Sequence, residues 1–110
     1  MNDMERSQVI DSIRNMAACV LSKGSTVYLY GSRARGDWHE DSDWDLLVLL
    51  DKPQRERTDW EHYAWPFDDM GVDIGEIIST RTFTKSDWFN GPHTMSYYNA
   101  EEDKEVLYES

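Results

Sequence analysis

Two aspartates one residue apart, at the front of an apolar run, constrain this chain more than any other feature. The stretch from Val27 to Leu50 reads VYLYGSRARGDWHEDSDWDLLVLL: an apolar strand, a Gly-Ser turn, a polar loop, the two acids and a second apolar strand. Side chains at i and i+2 of a strand share a face, so Asp43 and Asp45 stand side by side with Trp44 on the opposite face. Like charges so close repel, more strongly in a partly buried site. Such a pair calls for a cation, and hard carboxylate oxygens suit Mg²⁺, which fills its remaining shell with water and substrate phosphate. Gly31 ends the first strand and can take backbone angles that let the chain approach a ligand closely. Ser32 adds a hydroxyl and a backbone N–H, while Arg33 and Arg35 bring positive charge to where a polyphosphate would lie.

Three other readings compete. Gly31 to Gly36 has the glycine spacing of a P-loop, but Asp37 stands where the phosphate-binding lysine belongs and Trp38 replaces Ser/Thr. Asp41, Asp43 and Asp45 imitate the opening of an EF-hand loop, but Leu46 takes the glycine position and Lys52 the bidentate glutamate position. The plainest alternative is an acidic loop whose aspartates cap a turn and face water. The Gly-Ser turn at this spacing favours the cation site over all three.

Gly-Ser followed by Asp-x-Asp inside apolar sequence resembles the signature of the polymerase-β-like nucleotidyltransferases. The form GSRARG…SDWDLLV is most similar to the minimal nucleotidyltransferase group of that superfamily. The resemblance implies an α/β (α+β) fold, a small mixed central sheet of three to four strands flanked by helices, in one domain over residues 1–110. It also implies nucleotidyl transfer. Asp43 and Asp45 would hold one or two Mg²⁺ ions on a nucleoside triphosphate, and Gly31 and Ser32, with Arg33 beside them, would bind its phosphates. A third acid on the next core strand would share the metal and help activate an acceptor hydroxyl. Asp73, flanked by Val72 and Ile74, has the form that the family pattern asks for; Glu76 is the alternative. Only one of them can face the metals in a regular strand, unless Gly75 shifts the register. Members of the group often work beside a separately encoded helical protein of HEPN type, as the antitoxin that adds AMP to it. A catalytically weak nucleotide-binding subunit of such a partner is the competing function.

Composition narrows the partners. The formal net charge is −11, from 22 acidic and 11 basic residues. A chain so acidic repels a phosphate backbone, so a broad nucleic-acid-binding face is not expected. A basic protein partner suits it better, and five tryptophans with six tyrosines are a surplus that can mark an interface or a homo-oligomer. No apolar run of membrane-spanning length and no signal-peptide layout is present, and the single Cys19 fits a reducing cytoplasm. Cys19 lies within a helical pattern, as a small core or boundary residue. His39, His62 and His93 lack metal-ligand spacing and read as surface residues.

Periodicity predicts an amphipathic helix from about Met4 to Leu21 and a first strand at Ser25–Tyr30. A loop follows over 33–42, then a buried central strand at Trp44–Leu50. A second helix within 54–70 is expected to kink or end at Pro66. Val72–Ser79 reads as a third strand reaching toward Phe83. Thr84-Lys-Ser-Asp87 resembles a capping box opening a short helix, and Asn99–Tyr108 reads as a last helix.

Overall fold

In the computed structural model, which describes residues 6–36 and 42–110, the N-terminal periodicity becomes helix α1 (Arg6–Val20), with Val9, Ile10, Ile13 and Ala17 buried. Strand β1 (Thr26–Tyr30) leads through the short helix α2 (Ser32–Arg35) toward β2 (Trp44–Leu50). β1 and β2 pair antiparallel, with Tyr30 opposite Asp45. A π-helical turn over Trp60–Ala64 runs into α3 (Trp65–Ile74). This crossover returns the chain so that β3 (Ile78–Thr84) lies parallel to β2, with Ser79 beside Asp45 and Arg81 beside Leu47. Helices α4 (Lys85–Asn90) and α5 (Met95–Asp103) follow, then β4 (Glu105–Glu109), antiparallel to β1. The mixed sheet has the order β3-β2-β1-β4, an α+β architecture of the kind expected.

Strand alternation gives the sheet two unlike faces. Trp44, Leu46, Val48 and Leu50 of β2 pack with Val27 and Leu29 of β1 against α1 and Phe67 of α3. Leu47 and Leu49 point the other way, into a smaller cluster with Trp88 of α4, Ala100 of α5, Tyr28, Tyr30 and Phe83. Asp45 has the same parity as Leu47 and Leu49, so it belongs to this second face.

Several expectations are corrected. The residues 72–74 expected to start the third strand are the last turn of α3, and β3 begins only at Ile78. Met70 and Ile74 pack against the core at helical spacing, and Gly75 (φ 79°) ends the helix in the left-handed conformation. The Glu76 N–H then returns to the Gly71 carbonyl at 2.8 Å. Gly71 does not stop the helix; a Cβ there would lie 2.9 Å from Ile78 Cγ1, so its bare backbone lets α3 close onto β3. Pro66 does not end the helix but lies where the π-helical turn gives way to α3, so the irregularity expected there takes the form of that turn. The tail is half helix and half strand: Thr94, not Asn99, caps α5, and Glu105–Glu109 adds the fourth strand. The loop opens with α2, and Cys19 is exposed rather than core. The capping box is present as expected, the Asp87 N–H donating to Thr84 Oγ1 at 3.0 Å.

Candidate active site

The site is built where β1 ends. Gly31 has φ 78° and ψ −158°, and a Cβ added there would meet Asp45 Oδ2 at 2.5 Å. Both the angle and the space exclude a side chain, so the carboxylate lies directly against the turn. The N–H groups of Ala34 and Arg35 each reach the Gly31 carbonyl at 3.0 Å, which tightens the turn and sets Ser32 in the first turn of α2. Asp43 is exposed just ahead of β2, and Asp45 is half-buried on its second residue. Burial holds the Asp45 carboxyl above its ordinary range, and the negative charge of Asp43 pushes the same way. The charges of Arg81 and Arg35 work against that shift. Arg35 is also tied to Asp103 of α5 at 2.9 Å.

Arg33, expected beside a polyphosphate, turns inward. It is 6% exposed. Its guanidinium donates to the Ser42 carbonyl at 3.0 and 3.3 Å, lies 3.5 Å from Glu76 Oε1, and covers the Trp44 ring at 4.8 Å. It therefore fixes the peptide that leads into Asp43. Glu76 joins the same group, accepting from the Trp44 indole N–H at 2.7 Å. Trp44 is on the face opposite Asp45, so the Glu76 carboxylate is engaged away from the aspartate pair. Asp73, preferred as the third acid, is exposed on the last turn of α3. The strand alternation that would have aimed it at the metals does not reach it, because its backbone is helical.

On β3 the residues that share a face with Asp45 are Ser79, Arg81 and Phe83. Among the described residues no third acid, histidine or cysteine joins Asp43 and Asp45 in a group able to hold a metal. Arg81 was missed. Its only sequence signal is its distance from the true start of β3, which the apolar VDI misplaced. His62 and His93 are exposed, as expected of surface histidines; His39, Asp37, Trp38 and Asp41 lie outside the described residues.

Two hard carboxylates, one of them pressed against a glycine turn, suit a divalent cation carrying a phosphate chain. A mixed sheet presents that pair beside the Gly-Ser turn. The model of the nucleotidyltransferase domain family matches residues 13–91, and the chain belongs to that family. A solved toxin–antitoxin structure with AMP-PNP superposes with a TM-score of 0.65 at 16% identity, covering 92% of this chain and 73% of its own. A complex of tri-AMPylated HEPN toxin from Shewanella oneidensis with MNT antitoxin gives a TM-score of 0.62 at 13% identity, covering 96% and 74%. The toxin–antitoxin MntA-HepT gives 0.60 at 12% identity, again covering 96% and 74%. At such identities the likeness is one of fold. Among curated proteins no sequence relative matches. No helix among the described residues is long and apolar enough to cross a membrane.

Proposed function

We propose that this domain transfers a nucleoside monophosphate, AMP from ATP, to a hydroxyl of a partner protein, in the cytoplasm and with Mg²⁺. The observation that supports this reading is the contact of the Asp45 carboxylate with the Gly31 turn, where a cation held by Asp43 and Asp45 would meet phosphates held by the turn. Asp43 and Asp45 would hold the cation. When bound, Mg²⁺ supplies charge neutralisation on the phosphates and in the transition state. Gly31 and the first turn of α2 bring backbone and the Ser32 hydroxyl to the terminal phosphates. Arg33 keeps the Ser42 carbonyl, and so the approach to Asp43, in place. The partner is proposed to be a helical protein of HEPN type; the toxin–antitoxin assemblies of matching fold support this.

A second reading has its own support: a nucleotide-binding antitoxin or regulatory subunit that transfers weakly. It rests on the β3 residues facing Asp45, where Arg81 and Ser79 stand and, among the described residues, no carboxylate does. Incubating the chain and its partner with labelled ATP and Mg²⁺ separates the two. Label on the partner that disappears with Asp45→Asn supports transfer. A complex that forms without label and survives the same substitution supports the second reading and overturns the first.

A further inference from the structure

Beside Asp45, on the same sheet face, lies a cavity of about 150 Å³. Its position follows from the strand register. Tyr30, on its wall, stands opposite Asp45 and immediately precedes Gly31. Leu47, also in the wall, is two residues beyond Asp45 on the same face, and Arg81 is its neighbour across β3. The cavity is thus one step along the face from the carboxylates. A cavity of about 150 Å³ is enough to take up benzene, so this one has room for one six-membered ring, the part of adenine that carries the amino group.

The walls are aromatic and held in place. Trp88 is flanked by Phe83 and Tyr97, with ring centroids 5.2 and 4.9 Å away. Its indole N–H donates to Glu101 Oε2 at 2.7 Å. Tyr97 is backed by a parallel stack on His93 at 3.7 Å. A planar ring entering here meets aromatic side chains already packed in place, and stacking on such side chains is open to any base. Arg81 lines the cavity and also acts on Asp45, so the two places share a cation. The carboxylate among the lining residues is that of Asp87. A carboxylate only accepts hydrogen bonds, so it favours a base edge that presents an amino group over one that presents a carbonyl.

We propose that this cavity receives the base of the nucleotide whose phosphates lie at Gly31 and Ser32, and that it selects bases with an exocyclic amino group. The inference rests on the nucleotide-binding reading above and adds the place and the side chains that would receive the base.

Calorimetry on the full chain with Mg²⁺ tests this, comparing ATP, UTP and inorganic tripolyphosphate. ATP is expected to bind about tenfold or more tighter than either of the others. Ala100→Leu, which fills the cavity from α5, is expected to bring ATP down to the level of tripolyphosphate. Because Ala100 is packed, the exposed Asp87→Ala provides a second arm: it is expected to erase the preference for ATP over UTP while tripolyphosphate binds as before. Equal binding of ATP and tripolyphosphate by the unaltered chain, or an ATP preference untouched by both substitutions, overturns the cavity assignment and leaves the phosphate site standing. Failure of all three ligands to bind overturns the nucleotide reading itself.

Discussion

The face of the sheet under α1 and α3 and the face under α4 and α5 are made by the same strands, and they differ in kind. Toward α1 and α3, Trp44, Leu46, Val48 and Leu50 are each at most 1% exposed, and Val9, Ile13 and Phe67 close over them at 0%. On the other side β2 offers Asp45 before Leu47 and Leu49, β3 offers Arg81, and the helices leave a cavity. One face is sealed along its whole length; the other is buried at Leu47 and Leu49 but open next to its charges, and it is the face to which the proposed chemistry belongs. Consecutive residues of β2 therefore answer to different demands, and replacing neighbours should give unlike phenotypes.

Asp45→Asn should show the largest effect. Removing one charged ligand from the pair is expected to reduce Mg²⁺-dependent transfer about a hundredfold or more, the scale at which a single polar group of an active site is felt. Stability should hold or rise, because burial and Asp43 both oppose the charge on Asp45. Product formation and thermal melts read the two sides; a large drop in melting temperature would break the division between faces. One residue further on, Leu46→Ala should do the reverse. A buried Leu→Ala costs about 2–5 kcal/mol, readable by urea unfolding, and the folded fraction should bind nucleotide normally.

Arg33→Ala lies between these cases. It removes one partner of a buried ion pair, so a loss of about 3 kcal/mol is expected. It also frees the Ser42 carbonyl, so cation affinity should fall as well. Arg33→Lys should not restore it, since a lysine lacks the forked donors that reach Ser42 and Glu76 together. Unchanged cation affinity in both variants would confine Arg33 to the sealed side. The smallest effect is a pH dependence. The Asp45 carboxyl binds its proton more tightly in the folded than in the unfolded chain, because of burial first and Asp43 second. Its contribution to stability is therefore most favourable below the ordinary aspartate value of about 3.9 and declines as pH rises through the folded value. Asp45→Asn should flatten that decline in unfolding curves. Cation affinity moves oppositely, weakening as pH falls through the same raised value.

What was legible in the sequence was local. Six apolar residues around Asp45, with a Gly-Ser turn ahead of them, specify β2 and its neighbour, because strand period and turn chemistry act over a few positions. The VDI of residues 72–74 fits a strand as well as a helix, and packing of Met70 and Ile74 against the core, to which distant α1 contributes, decides for the helix. With that boundary misplaced, Asp73, or else Glu76, is expected to turn toward the metals, and Arg81 is passed over. The same holds for β4: EVLYE has no turn chemistry of its own, and its partner β1 lies almost the whole chain away.

That distant pairing carries a consequence for handling the protein. Without Glu105–Glu109, β1 would show a bare row of amide and carbonyl groups along its outer edge, a template on which another copy could add its own strand. Removing Glu105–Glu109 is therefore expected to make copies of this chain associate through the uncovered edge of β1.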